Sequence, residues 1–357
     1  MTPDGKTIPE FASLTRAHGD GVCQALIKQQ VEDFQVDEVL GFNPDGAAGH
    51  LYLQLQKTGL TTLELAQYLA RVTQVPQSAV GYAGMKDKNG ICTQWFSLPH
   101  DKQYNWQESV IAHPAVVIRD VQRNSRKLRI GSHRENRFQI RLRQLAGDAS
   151  AVEQKLARCS TAGVPNYFGA QRFGRDGSNF NDAVSYLSGT AEQGVSRGQR
   201  ALLFSAARAG LFNLCLQQRV RAANWDQALA GEVMNLEGTA RFFALADEEI
   251  NDATIRQRLA ALDIHPSGPL VGKDSPKDRY RPGATVKELE TEVLQDWSAL
   301  IDGLARRGVI AGRRSLRLAV RQLEYRWEQA DQLTLSFSLG SGGYATAVLH
   351  ELGSMRE

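Results

Sequence analysis

The chain has 357 residues, of which 42% are hydrophobic and 23% charged, and its formal net charge is +3. That length is long for one hydrophobic core, so two domains are expected, and the composition is that of a globular protein. No run approaches the ~18 consecutive apolar residues of a membrane helix, and the opening MTPDGKTIPEF lacks the basic-then-apolar order of a signal peptide, so a cytoplasmic protein without a membrane partner is expected.

Alternation marks the first strands: Phe34 and Val36 in EDFQVDEV, then Leu51, Leu53 and Leu55 in HLYLQLQ. The next segment predicts a helix capped by Thr62, with Leu63, Ala66, Leu69 and Ala70 at helical spacing, ending near Pro76. After a glycine-bracketed turn, Gln94 to Leu98 reads as a strand ending at Pro99. The segment from Glu135 to Arg143, ENRFQIRLR, places Asn136, Phe138, Ile140 and Leu142 on one face, and Arg137, Gln139, Arg141 and Arg143 on the other. An amide and a ring therefore point with the core.

Helical patterns dominate the middle of the chain, from Phe180 to Leu187, Arg200 to Ala223 and Leu289 to Leu304. Near the C-terminus, Leu316, Leu318 and Val320 share one parity and Leu323, Tyr325 and Trp327 the other, which predicts a bulge near Arg321. Leu333, Leu335, Phe337 and Leu339 form a return strand, and a short amphipathic helix carries Ala345, Val348, Leu349 and Leu352. Strand patterns on both sides of a helix-rich middle point to an insertion into one sheet domain.

The distribution of charge says more than its sum. Nine basic residues lie between Arg119 and Arg143 against two acids, and a second basic block runs from Arg306 to Arg326, while acids collect in Asp247-Glu248-Glu249 and from Glu288 to Glu292. Such segregation makes a basic face suited to a phosphate backbone. The four cysteines, Cys23, Cys92, Cys159 and Cys215, form no CxxC pair and read as buried thiols. The seven histidines never fall at metal-ligand spacing, so no metal is expected. Neither GPLVGKD from Gly268 nor GSGGY from Gly340 has the spacing of a nucleotide loop.

One stretch concentrates chemistry: GYAGMKDKNGICTQWF, Gly81 to Phe96. Lys86 and Lys88 place opposite charge on both sides of Asp87, which favours an ionised carboxylate. Gly84 and Gly90 let backbone approach a ligand, and Trp95 with Phe96 makes one side dry. An ionised carboxylate at a dry, positive place is a candidate nucleophile. A surface hairpin with a lysine-flanked aspartate is the plain structural alternative.

GMKDK followed by TQWFSL resembles the catalytic signature of the TruD family of transfer-RNA pseudouridine synthases. The resemblance continues in IKQQVEDFQVDEVLGF from Ile27, NRFQIRLR from Asn136, GVPNYFGAQRFG from Gly163, SGPLVG from Ser267, RSLRLAV, and LSFSLGSGGYATAVLHEL at the end, so it runs almost end to end. Asn89 stands where many relatives have histidine. The resemblance implies an α+β fold: a pseudouridine-synthase-like catalytic domain with a mostly antiparallel mixed sheet flanked by helices (1–160 and 311–357), interrupted by a helix-rich α/β insert (161–310).

It further implies conversion of uridine to pseudouridine at uridine 13 of transfer RNA, with no cofactor and no metal, by a monomer needing no obligate protein partner. Asp87 matches the catalytic position and Phe138 the stacking position. Asn136 is expected to orient the carboxylate or the uracil edge, and Lys28 to be the cation paired with Asp87. Lys86, Lys88, Arg172, Arg175, Arg313 and Arg314 are expected to contact RNA, the four arginines near a cleft where the insert begins and ends. Two other classes compete: a non-catalytic RNA-binding or chaperone protein on the same scaffold, which has no use for Asp87, and a metal-dependent nuclease.

Overall fold

The computed structural model describes residues 7–100, 112–174, 177–189, 194–274 and 280–357. In chain order its strands are β1 (Cys23–Leu26), β2 (Phe34–Leu40), β3 (His50–Thr58), β4 (Gly81–Tyr82), β5 (Ile91–Pro99), β6 (Val116–Asn124), β7 (His133–Gly147) and β8 (Val164–Pro165). They continue as β9 (Val233–Leu236), β10 (Phe242–Ala244), β11 (Ile264–Leu270), β12 (Gly312–Ser315), β13 (Arg317–Leu318), β14 (Val320–Gln329), β15 (Gln332–Gly340) and β16 (Gly353–Arg356). The α-helices are α1 (Thr62–Val72), α2 (Ala149–Ala162), α3 (Ser178–Ser188), α4 (Arg197–Arg221), α5 (Ala253–Ala260), α6 (Ala284–Leu294), α7 (Ser298–Arg306) and α8 (Ala345–Leu352).

Two compact units divide the described residues. The sheet unit takes Val22–Val152, Val320–Gly342 and Ser354–Glu357. Its sheet has the order β14-β15-β7-β2-β5-β3-β6, with β1 added against β7 and β4 against β5. Strands β2 and β5 run parallel, while β2 with β7, β3 with β5 and β7 with β15 run antiparallel, so the sheet is mixed and mostly antiparallel. The alternation predicted for β3 places Leu51, Leu53 and Leu55 against Leu65, Ala66 and Leu69 of α1. Each fully buried leucine here contributes about 1.5–3 kcal/mol. The predicted bulge is present, as a register shift between Arg321 and Glu324.

Helix α1 starts one residue earlier than its sequence suggests. Thr61 is the cap, in a capping box with Glu64, because Thr62 is fully buried and its hydroxyl is used elsewhere.

The helical unit comprises the residues up to Gly21, Glu153–Ala319 and Gly343–Gly353. A second sheet, β10-β9-β11-β12, lies in it, and α4 supplies much of its core through Leu203, Leu211, Phe212 and Leu216. The helix expected from Leu289 to Leu304 is broken: α6 ends at Leu294, a 3-10 turn spans Gln295–Trp297, and α7 follows. Buried Trp297 explains the break, since its ring sits 5.4 Å from that of Phe180, edge to face. The unit is wider than the expected 161–310 insert, because α8 and the N-terminal segment hold one another. Buried Glu351 accepts from the Ala17 and His18 amides at 2.9 and 3.0 Å, and His350 Nε2 lies 3.0 Å from the Leu14 carbonyl.

Candidate active site

The turn carrying Asp87 belongs to the sheet unit and is clamped at several points. Gln94, fully buried on β5, donates from Nε2 to the Gly84 carbonyl at 3.3 Å. Thr62 Oγ1 donates to Gln94 Oε1 and accepts from the Lys86 amide, both at 2.8 Å. The Lys86 ammonium, with a side chain 5% exposed, pairs with fully buried Glu38 at 2.6 Å, and the second Glu38 oxygen accepts from the Trp95 amide at 3.0 Å. Lys57 Nζ donates to the carbonyls of Leu60 at 2.5 Å and of Asp87 at 2.6 Å, while Cys92 Sγ reaches the same Asp87 carbonyl at 3.5 Å. Asp87 itself is partly exposed at the end of this scaffold.

Lys57 is wholly buried. Burial pushes its ammonium down from the usual lysine range, and the nearby Cys92 thiol and Asp87 carboxylate oppose that shift. The loop is therefore held by a desolvated cation whose field includes the Asp87 charge.

The register shows what lies along the sheet from this turn. Lys57 pairs with Cys92, Cys92 with Val36, Val36 with Phe138, and Phe138 with Phe337, which makes one row across β3, β5, β2, β7 and β15. Residues directly opposite share a face, so the Asp87 anchors stand at one end of the row and two stacked rings at the other. Strands β5 and β7 are two spacings apart, about 10 Å. The Phe138 and Phe337 rings lie 5.4 Å apart at 26°, and Phe34 meets Phe138 edge to face at 6.2 Å. Phe138 is half-buried, so part of it is open to a ligand.

One register step away, Asn136 faces Glu38. Asn136 is 8% exposed, and its Oδ1 is buried without a hydrogen-bond partner among the described residues; His133 Nδ1 is in the same condition. A buried acceptor left unmet costs about 1–3 kcal/mol, so it suits a donor brought by a ligand.

The structure places Asn136 and Phe138 on β7 and Asp87 in the turn that leads into β5 of the same sheet, but it redistributes the expected cations. Lys28 pairs with Glu357 at 2.7 Å and stands 4.9 Å from the Phe34 ring centroid, so the ion pair expected with Asp87 is made with Glu357 instead. Lys86 is no surface contact for RNA, because Glu38 holds it in the interior; Lys88 is 53% exposed and 3.2 Å from Glu64. Arg313 pairs with Glu290 at 2.6 Å with its side chain only 6% exposed, so its charge is used within the helical unit. Arg314 donates to Asn166 Oδ1 at 2.5 Å and lies 4.1 Å from the Phe168 centroid, and burial pushes it down to about 10. Arg172 donates to Ser205 at 2.9 Å and to the Tyr344 hydroxyl. Arg175 lies outside the described residues.

Lys57, Glu38 and Gln94 were missed as site residues. The signal was present for two of them: Lys57 continues the apolar parity of Leu51, Leu53 and Leu55, and Glu38 that of Phe34 and Val36. A charge on a core parity marks a buried partner.

Comparison with known proteins finds relatives along nearly the whole chain. The family model for tRNA pseudouridine synthase D (TruD) matches residues 15–180 and 180–352. A protein named tRNA pseudouridine synthase D from Ectopseudomonas mendocina is 40% identical over 94% of this chain and 93% of its own length. One of the same name from Nitrosococcus oceani is 42% identical over 93% and 91%. The crystal structure of a putative tRNA pseudouridine synthase D from Methanosarcina mazei shares the fold, with a TM-score of 0.69 at 18% identity over 95% of each chain. Matched over nearly its whole length, the chain belongs to the TruD family of pseudouridine synthases, which are isomerases.

Proposed function

We propose that this protein isomerises uridine to pseudouridine in transfer RNA, at uridine 13, with Asp87 as the catalytic carboxylate. One observation carries the reading: the clamped Asp87 turn stands at one end of the cross-sheet row that ends in Phe138 and Phe337. The reaction breaks the N1–C1′ bond, turns the detached uracil and joins C5 to C1′, with the C5 proton passing to solvent and N1 taking up a proton. Substrate and product have the same composition, so the chemistry asks for no redox or group-carrying cofactor.

A carboxylate that acts at the sugar serves the first step. Rings that hold a base by stacking serve the second, because stacking is worth about 1–3 kcal/mol and tolerates rotation of the base. The unmet Asn136 Oδ1 suits a uracil N–H. The basic segment of the sheet unit would meet phosphates, offsetting the few kcal/mol needed to take a stacked uridine out of folded RNA. The helical unit fits the role of an inserted RNA-gripping domain.

The test is tritium release from transfer RNA labelled at uracil C5, in buffer containing chelator. Asp87→Asn should lower the rate by roughly a thousandfold or more while leaving RNA affinity nearly intact. Release at the wild-type rate by the variant would exclude Asp87, and no release by either protein with RNA still bound would favour a binding protein on this scaffold.

A further inference from the structure

The Asp87 turn and two loops of the sheet unit joined to it carry exposed apolar side chains: Met85 at 59% in the turn, Ile130 at 75% and Phe42 at 41% in the loops. The Gly131 amide donates to the Ala83 carbonyl at 2.7 Å, and the Gly41 amide to the Ser132 carbonyl at 3.1 Å, so the loops are joined through backbone. The loop bearing Ile130 is fixed on both sides. Tyr52 donates its hydroxyl to the Arg126 carbonyl at 2.9 Å, the Leu128 amide reaches Ser97 Oγ at 2.9 Å, and Ser132 Oγ caps the Arg129 carbonyl at 2.6 Å. Leu128 is buried, yet Ile130 two residues on projects into solvent, with Gly131 at φ +86° making the turn. A rigid loop that holds out an isoleucine serves a ligand better than it serves the core.

The surroundings identify that ligand. Between Val121 and Arg134 there is no Asp or Glu, while Arg123, Arg126, Lys127 and Arg129 fall within the segment, and Arg126 and Arg129 are exposed. An apolar tip among cations that make no ion pair among the described residues suits the base stack and phosphates of RNA. A uridine that leaves its stack opens a gap whose closure an apolar side chain can prevent.

We propose that Ile130, supported by Met85 and Phe42, is the wedge that enters the RNA stack and occupies the place vacated by the target uridine. This rests on the reading that Asp87 acts on a uridine taken out of folded RNA. Ile130 is then a positioning residue for the substrate: it touches neighbouring bases and not the reacting atoms.

The experiment uses the full-length protein and a transfer RNA with 2-aminopurine beside the target uridine, reading unstacking by fluorescence, and tritium release from the labelled transfer RNA. Ile130→Ala should lower both the fluorescence rise and kcat/KM about tenfold, the scale of one lost stacking contact. Ile130→Leu, which keeps an apolar tip, should stay close to wild type. Since Ile130 is exposed, both variants are expected to fold, which circular dichroism checks. A fluorescence rise in Ile130→Ala equal to that of wild type overturns the proposal whatever happens to the rate, and so does a wild-type protein that binds without unstacking the probe. A protein that unstacks the probe through Ile130 but releases tritium equally well as Asp87→Asn would count against the Asp87 reading and support the wedge.

Discussion

Glu38 shows how a single buried charge shapes this site. Its two oxygens hold the Lys86 ammonium at 2.6 Å and the Trp95 amide at 3.0 Å, so it fixes both the turn and the strand that follows it. Glu38→Gln keeps the size and an acceptor for Trp95 but leaves Lys86 without its counter-charge in the interior. The expected loss is about 3–5 kcal/mol, measured by urea unfolding, because removing one partner strands the other. Adding Lys86→Met should recover part of it. A loss below about 1 kcal/mol would mean that Lys86 can reach water when unpaired. Residue types and resemblance single out Asp87 and Phe138 as candidates. The identity of the cation at Asp87 was not legible, because Lys86 and Lys88 flank it in the sequence while Lys57, 30 positions away, reaches its backbone only through the register.

At the scale of elements, the parallel pairing of β2 with β5 sets where the Asp87 turn ends. Gly90 is the last residue of that turn, and a Cβ there would lie 2.5 Å from the Phe34 carbonyl and 3.1 Å from its ring. The same Phe34 ring touches Phe138 and neighbours Lys28. Gly90→Ala should therefore push β5 from β2 and disturb the turn and the ring cluster together. We expect a stability loss of about 1–3 kcal/mol, with a larger proportional loss of tritium release than unfolding accounts for. Full activity at 25 °C would show that the ring cluster tolerates the shift. Strand alternation was readable here, as was the bulge near Arg321. The split of the helix before Trp297 was not, because the turn there is dictated by where a tryptophan must pack.

At the scale of the molecule, the helical unit depends on a contact between chain ends. His350 is buried against the Leu14 carbonyl, and burial, reinforced by Arg16, pushes it down to about 4 from 6.5. A histidine depressed in the folded state binds its proton more weakly there than in the unfolded chain. Its contribution is thus fully present above pH 6.5 and is lost as pH falls toward 4, by roughly 3 kcal/mol at most. The urea midpoint of the wild type should fall across that window, and His350→Gln should flatten the fall. Parallel curves for the two proteins would refute the assignment.

The sequence by itself determined the mixed α+β class and the strand–helix–strand order, and it put Asp87, Asn136 and Phe138 forward as candidates, because alternation, helical spacing and a local glycine-bracketed motif are all properties of neighbouring residues. Tertiary structure decided which charges are spent inside. Arg313 on Glu290 and Lys86 on Glu38 look like surface cations in a list of residues, and each is withdrawn from solvent by a carboxylate elsewhere in the chain, while part-exposed Arg143 is engaged by fully buried Asp33. It also decided that Lys28 meets Glu357, 329 positions away, and that the Asp87 carbonyl meets Lys57. Pairings across such separations follow from sheet register, and register is a property of the folded chain as a whole.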